Sequence, residues 1–277
     1  MLISCSRIQL KKLKETKFLE VTLIRSIMGV LRKLTLQKSP SSSHGRKIAK
    51  KQPKTTIGSL PKDLLVDILA WVGSSSFTDV FSAKQCCKDF LEATEEHYVI
   101  QSISLDKFPT IHWFPPSDGV RSFLMNCFDK GNPESLFRQG MIKYFNLAEV
   151  ESGLEYLKRA SEKEHTEATY VYGMILLSQG DRWSEQGLKL LNSMKNSLTR
   201  YWDVDDCRNK IKRVLNAMWI NNTISVQEIS MECQKGDHGV HRIRRLGFHE
   251  DGEINSCYFC MWYREFFLFC RMLNIDI

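Results

Sequence analysis

The residues best suited to chemistry in this 277-residue chain are cysteines near its C-terminus. Cys257 and Cys260 have the Cys-x-x-Cys spacing that lets two thiolates reach one zinc ion. Cys233 and either Cys270 or a histidine would complete a tetrahedral site. This interpretation predicts one structural zinc, because no carboxylate stands in the arrangement typical of zinc hydrolases or deaminases.

Cys270 also has a purely structural interpretation. In the stretch "MWYREFFLFCRML", Trp262, Phe266, Phe269 and Cys270 recur at helical spacing, which is typical of the buried face of a helix. A free cysteine on such a face behaves as a small apolar side chain. The sequence therefore leaves two alternatives, a zinc site and a buried helix without any cofactor.

No signature of an enzyme is found elsewhere in the chain. The nucleotide-binding patterns GxGxxG and GxxxxGK[ST] are absent, as are the hydrolase patterns GxSxG and HExxH. Cys86, Cys87 and Cys127 lie in apolar helical contexts, where a structural thiol is the default interpretation. We therefore expect a protein that is not itself an enzyme.

The positive charge of the chain is concentrated at its N-terminus. Residues 1–56 contain 14 Lys and Arg against 2 acidic residues, whereas residues 57–277 contain 25 basic and 30 acidic residues. We expect residues 1–56 to be a disordered leader and linker. Their basic run is typical of a solvated tail or a nuclear-import patch, and it comprises Arg46, Lys47, Lys50, Lys51 and Lys54. The acidic remainder disfavours general nucleic-acid binding.

The sequence predicts an intracellular protein without a membrane partner. No stretch reaches the roughly 18–20 apolar residues of a membrane span, and "KKLKETK" interrupts the apolar residues of the first 28 positions. Nine scattered cysteines in such a chain are expected to be reduced thiols or metal ligands. We expect a location in the nucleus, the cytoplasm or both.

A strongly apolar helix is predicted at the start of the acidic part of the chain. In "SLPKDLLVDILAWV", residues 59–72, Pro61 suits a first helical turn, and apolar residues follow at three- and four-residue spacing: Leu64, Leu65, Ile68, Leu69 and Val72. We expect Gly73 to end this helix, a nearby serine or Thr78 to cap the next one, and Phe81 to be buried. Three such short helices would bury only a small core, so their apolar surplus predicts a partner.

These residues resemble an F-box. The similarity rests on Leu60-Pro61-x-Asp63-Leu64-Leu65-x-x-Ile68-Leu69, on Ser76-x-x-Asp79-Val80 and on Cys86-Cys87-Lys88-x-Phe90. F-boxes are three-helix modules that dock on the Skp adaptor of Skp–cullin–F-box ubiquitin ligases. The resemblance implies adaptor contacts from Leu60, Pro61, Leu64, Leu65, Ile68 and Leu69, with help from Val80, Cys87 and Phe90. The alternative is that the same residues form the core of a helical domain.

An internal repeat follows the F-box-like region. "ESLFRQGMIKYF" from Glu134 aligns with "EATYVYGMILLS" from Glu167, and "GLEYLKRASEKE" from Gly153 aligns with "GLKLLNSMKNSL" from Gly187, at offsets of 33 and 34 residues. This spacing resembles tetratricopeptide and Sel-type repeats. We expect α-helical hairpins whose helices approach closely at two small residues, Gly140 and Gly173. Residues 203–222 are expected to form a capping helix, and repeats of this kind expose a surface for partners.

The sequence therefore predicts a mainly α protein that resembles plant F-box proteins with helical repeats and a cysteine-rich C-terminus. Its predicted parts are the leader 1–56, an F-box at 57–105, a connector at 106–130, hairpin repeats at 131–222 and a Cys/His-rich segment at 223–277. The resemblance implies a substrate adaptor that binds a Skp-type protein, and through it a cullin–RING ligase, while the repeats or C-terminus bind an unidentified target. The alternative is a zinc-binding or basic-tail nucleic-acid-associated interaction protein with no ligase role.

Overall fold

The computed structural model describes residues 60–197, 202–222, 224–226 and 258–275. The chain divides after Lys107 into two compact units, here called unit 1 and unit 2. The described ranges hold eleven α-helices, one π-helical turn and no strand. The predicted mainly α fold is confirmed. Within those ranges, no helix combines the length and hydrophobicity that crossing a bilayer needs.

Unit 1 consists of four short helices around a small core. They are α1 (Lys62–Ser75), α2 (Phe77–Lys84), α3 (Lys88–Thr94) and α4 (His97–Ser102). Helix α1 packs against each of the other three. Helices α1 to α3 correspond to the three that the resemblance implied, and α4 adds Val99 and Ile100 to the core.

Gly73 does not end α1, contrary to the sequence prediction. The helix continues to Ser75, and Gly73 is buried. A Cβ atom at this position would lie 3.2 Å from Cγ1 of Ile103 and 3.3 Å from Cγ2 of Val80, so close packing explains the glycine. Ser76 supplies the predicted cap, because its hydroxyl accepts a hydrogen bond from the backbone N–H of Asp79.

Unit 2 is built around two helical hairpins that match the sequence repeat. Hairpin 1 contains α6 (Pro133–Met141), which continues as a π-helical turn (Ile142–Asn146), and α7 (Val150–Glu162); hairpin 2 contains α8 (Thr166–Ser178) and α9 (Asp181–Ser197). Helix α5 (Asp118–Asp129) precedes them, and α10 (Trp202–Asn216) and α11 (Tyr258–Met272) follow.

The repeated glycines let the two helices of each hairpin approach closely, as the sequence predicted. A Cβ atom on Gly140 would lie 2.8 Å from Cγ of Leu157, and one on Gly173 would lie 2.6 Å from Cγ of Leu191. Both distances are shorter than real Cβ contacts allow. Larger residues at these positions would therefore push each hairpin apart.

The first helices of the hairpins begin at equivalent side-chain caps. Asn132 Oδ1 accepts from the N–H of Ser135 at 3.1 Å, and 33 residues later His165 Nδ1 accepts from the N–H of Ala168 at 3.2 Å. His165 Nε2 also lies 2.8 Å from Glu134 Oε2. This last contact joins the starts of α6 and α8.

Helices α10 and α11 belong to the same hydrophobic core as the hairpins. From α11 the core receives Trp262, Phe266, Phe269 and Cys270, all at most 1% exposed. Helix α5 lies in the range expected as a connector, and it packs against α6. Residues 1–56 and most of the predicted Cys/His-rich segment lie outside the described residues.

Candidate partner-docking surfaces

The nine predicted contact residues of unit 1 fall into an exposed and a buried group. Leu60, Pro61, Leu64 and Cys87 are exposed, and Ile68 is half-buried. The side chains that are buried in the core of unit 1 are Leu65, Leu69, Val80 and Phe90. These four hold the helices together and present almost no surface, so their assignment as direct contacts is corrected to a supporting role.

Several exposed apolar side chains extend the surface that the sequence indicated. Leu64 is 50% exposed, Phe81 is 52% exposed and Tyr98 is 56% exposed, and Leu91 is also exposed. The prediction that Phe81 is buried is therefore wrong. Its ring centroid lies 6.0 Å from that of Phe77, one turn earlier on α2. A small four-helix unit with this much exposed apolar area is typical of a protein-binding module.

Exposed charged pairs lie on or next to the same helices as these apolar residues. Lys62 pairs with Glu96 at 2.5 Å, and Lys84 pairs with Glu95 at 3.1 Å. The hydrogen bond and charge of Glu96 raise the pKa of Lys62. Because these side chains are exposed, each pair contributes little to stability. A polar rim around an apolar centre is the usual arrangement of a protein interface.

In unit 2, the face formed by the first helices of the hairpins is covered by the chain itself. Helix α10 packs against α8, and its apolar residues enter the core at helical spacing: Val204, Cys207, Ile211, Leu215 and Met218 just beyond its end. In repeat proteins the free face of adjoining helices forms a binding surface. Here α10 and the residues that follow it up to Asn222 occupy that face.

The π-helical turn fastens the end of this covering segment. The backbone N–H groups of Asn221 and Asn222 donate to the carbonyl oxygen of Phe145 at 2.8 and 3.1 Å. Side-chain amides complete the contact: Asn221 donates to the carbonyl of Asn146, Asn222 to that of Tyr144, and Asn146 to that of Trp219. We call Asn146, Asn221 and Asn222 the asparagine clasp. It satisfies carbonyls that a helix end leaves without partners.

A buried charge network joins α8, α10 and α11. Glu265 is 3% exposed; it accepts a hydrogen bond from the Tyr170 hydroxyl at 2.7 Å and pairs with Arg208. Arg208 also pairs with Asp205. Burial raises the pKa of Glu265, although the positive charge of Arg208 opposes this effect. The network holds α11 against the repeats.

The geometry of α11 corrects the predicted four-cysteine zinc set. Cys260 and Cys270 are both buried on this one helix, ten residues apart, which corresponds to about 15 Å along the axis. Two thiolates on one tetrahedral zinc lie within about 5 Å of each other, so these two cannot share an ion. Burial raises the pKa of Cys270 to about 12, which favours its interpretation as an apolar core residue.

The other predicted zinc ligands, Cys233 and Cys257, lie outside the described residues. Among the residues that the structure does describe, no group of three or more Cys, His, Asp or Glu side chains has the arrangement of a metal site. Zinc binding through Cys233, Cys257 and the histidines of the tail therefore stays a prediction.

Comparisons with known proteins agree with this architecture. A family model for plant tetratrico peptide repeats matches residues 105–216. A putative F-box protein of Arabidopsis thaliana is 34% identical over 191 residues, which cover 68% of this chain and 63% of that relative. The chain fits a plant F-box repeat protein.

Further relatives extend this agreement. Two more Arabidopsis F-box proteins are similar to the chain: one is 28% identical over 52% of the chain and 85% of its own length, and the other is 24% identical over 44% and 34%. The chain spans less than two thirds of the length of the first relative. No solved structure matches it.

Sequence reasoning missed the exposed aromatic side chains of unit 1 and the covering of the hairpins in unit 2. Helical periodicity identified α10, but it does not show which helices α10 packs against. The only signal for the clasp was the stretch "WINN", in which Asn221 and Asn222 follow an amphipathic helix. Asparagine side chains there indicate that backbone groups are capped, but the sequence does not show which backbone groups these are.

Proposed function

We propose that this protein is an F-box protein that acts as the substrate-recognition adaptor of a Skp–cullin–F-box ubiquitin ligase. The observation that carries the proposal is the exposed apolar surface of unit 1, with Leu60, Pro61 and Leu64 at the start of α1. The names of the Arabidopsis relatives support it. A Skp-type adaptor, and through it a cullin–RING ligase, is the proposed partner of unit 1.

The proposed docking is recognition of a short helical module by an apolar groove. Leu64 would be a central anchor, while Phe81, Leu91 and Tyr98 would enlarge the buried apolar area. Buried residues such as Leu65 would act indirectly, because they fix the angle at which α1 presents Leu64. Aromatic residues at such positions commonly carry much of the binding energy.

The proposed role is not catalytic. An adaptor of this kind accelerates transfer by holding its target near an enzyme on another subunit, which raises the effective concentration of a target lysine. The buried thiols of Cys127 and Cys270 have pKa values that burial raises to about 12, so they would be protonated and poor nucleophiles at neutral pH. We propose that unit 2 binds the target, and that the protein acts in the nucleus, the cytoplasm or both.

The test is co-purification of the full chain with a recombinant Skp-type adaptor. We expect the wild-type chain to bind and Leu64→Asp to lose binding by at least about tenfold, because a charge would enter the centre of the interface. The matched control is Leu147→Asp in unit 2, since Leu147 is 54% exposed and the substitution is the same. Equal binding by wild type and Leu64→Asp, or no binding by wild type, would overturn the proposal.

A second control separates loss of contact from loss of folding. Leu64→Asp should leave the circular dichroism spectrum and thermal unfolding of the chain nearly unchanged, because the side chain is half exposed. Leu65→Asp, one residue later, should instead unfold unit 1. Leu65 is 5% exposed, so the new aspartate would place a charge in the core.

A further inference from the structure

Unit 2 holds a tryptophan in solvent beside two exposed aliphatic residues. Trp219 is 73% exposed, Leu147 is 54% exposed and Val150 is also exposed. The Asn146 side chain donates to the carbonyl oxygen of Trp219 at 2.8 Å, and Leu147 follows Asn146 directly in the chain. We call Trp219, Leu147 and Val150 the Trp219 patch.

The backbone of Trp219 is held firmly although its side chain is not covered. Met218 and Ile224 on either side are buried in the core, and Asn221 and Asn222 bond to the π-helical turn. Tryptophan is highly buried on average in folded proteins. An indole that is fixed by its backbone and left in water loses little conformational freedom on binding, which favours its use as an anchor.

The opposite edge of the patch contains two unusual backbone features. Leu147 follows the π-helical turn, an element that is frequent at functional sites. Ala148 has φ of 57°, in the left-handed region that favours glycine or asparagine. Such conformations persist only where the surrounding structure enforces them, and they concentrate at binding sites. Together they fix the turn that exposes Leu147.

The face formed by the first helices of the hairpins is already occupied. Residues of α10 such as Ile211 and Leu215 are buried there at 0% and 1% exposure. A target would have to displace a large part of the core of unit 2 to bind that face. The Trp219 patch lies where the covering segment ends, and it remains accessible.

Acidic side chains border the patch on α7. Glu149 and Glu151 flank Val150, and Glu155 lies one turn further along the helix. Lys143 neutralises Glu149 at 2.5 Å, whereas Glu151 and Glu155 form no ion pair with any described residue. The nearest basic residues on the other side, Lys212 and Arg213, precede Trp219 by six or more positions on α10. On α7 itself, Lys158 and Arg159 lie roughly two turns beyond Val150. The first turn of α7, next to Val150, is therefore acidic and favours a basic ligand.

We propose that the Trp219 patch binds a segment of the target protein that carries an aliphatic or aromatic anchor together with Lys or Arg. The anchor packs on the Trp219 indole and Leu147, and the basic residue faces Glu151 and Glu155. This inference rests on the proposed function, because it supplies the target-binding surface of the adaptor.

The experiment uses the full chain as bait for a displayed library of random peptides. We expect the selected peptides to combine an apolar residue with Lys or Arg. Their affinity should fall by at least about tenfold on Trp219→Ala and should fall on Glu151→Lys. The matched control is Trp183→Ala, which removes another exposed tryptophan from α9 and should leave binding unchanged.

Three outcomes would overturn the inference: no selected peptides, selected peptides that are acidic, or equal binding to wild type and Trp219→Ala. Unchanged thermal unfolding of Trp219→Ala shows that a loss of binding is not a loss of fold. The Skp-adaptor assay is run on the same samples. If adaptor binding persists while peptide binding fails, this inference fails alone; if wild type does not bind the adaptor, the proposed function fails.

Discussion

Units 1 and 2 both contain amphipathic helices, but they use their apolar residues differently. Unit 1 leaves Leu64, Phe81 and Tyr98 in solvent, so its apolar surplus is available to another protein. Unit 2 covers the corresponding apolar residues of its hairpins with its own residues 202–222. The comparison shows that the same helical periodicity is found in helices that expose an interface and in helices that are buried in an interior. The outcome depends on whether a later segment of the chain covers the apolar face.

The largest expected effect concerns the buried charges that complete the interior of unit 2. Arg208→Met would leave Glu265 buried without its positive partner, so we expect unit 2 to lose about 3–5 kcal/mol of stability. Urea unfolding of the full chain measures this loss. Arg213→Met on the exposed face of α10 is the control, and it should change stability by less than about 0.5 kcal/mol.

The loss in Arg208→Met should depend on pH. Burial already raises the pKa of Glu265, and removal of Arg208 would raise it further. A raised carboxyl pKa costs stability in full above the raised value, and the cost disappears as the pH falls towards the ordinary value of 4.5. Acidification should therefore protonate Glu265 and reduce the destabilisation of the variant. An unfolding difference that stays constant from neutral pH to about pH 5 would contradict this explanation.

A smaller effect is expected where the two hairpins begin. Burial opposes ionisation of Glu134, but hydrogen bonds and charges from His165 and Arg138 lower its pKa to about 2. Because this pKa is below the ordinary value of 4.5, ionised Glu134 stabilises unit 2 above pH 4.5. This stabilisation is lost as the pH falls towards 2. We expect Glu134→Gln to cost about 2 kcal/mol at neutral pH and almost nothing near pH 2.

Denaturant unfolding of wild type and Glu134→Gln across this pH range measures the effect. The control in unit 1 is Glu95→Gln, which removes an exposed pair with Lys84 and should cost less than about 1 kcal/mol. Equal losses of unfolding free energy in the two variants would contradict the expectation that the partly buried pair of unit 2 stabilises more than the exposed pair of unit 1.

The smallest effect compares close packing at two glycines. A Cβ on Gly173 would lie 2.6 Å from Leu191, whereas one on Gly73 would lie 3.2 Å from Ile103. We expect Gly173→Ala to destabilise unit 2 by about 1 kcal/mol and Gly73→Ala to destabilise unit 1 by less. Gly119→Ala on α5 is the control, because no atom lies within 4 Å of its Cβ. Thermal unfolding that ranks Gly119 as the costliest site would contradict the packing explanation.

The sequence predicted the helices and hairpins because their determinants are local. Gly140 and Gly173 fall at equivalent positions of a repeat, and that spacing is enough to predict a hairpin. The clasp and the covering of α8 by α10 depend on pairings between distant residues, which periodicity does not encode. Exposure of Phe81 was missed for the same reason, since it depends on which face of α2 meets the other helices.

The asparagine clasp has a consequence for how the protein is made. Asn146 contacts Trp219 and Asn221, which follow it by 73 and 75 residues, so this junction closes long after the hairpins can fold from local contacts. During synthesis from the N-terminus, the first helices of both hairpins leave the ribosome before the residues that cover them. A nascent chain that stops before Trp202 would therefore display an apolar face that the finished protein hides, and chaperones would be its first partners.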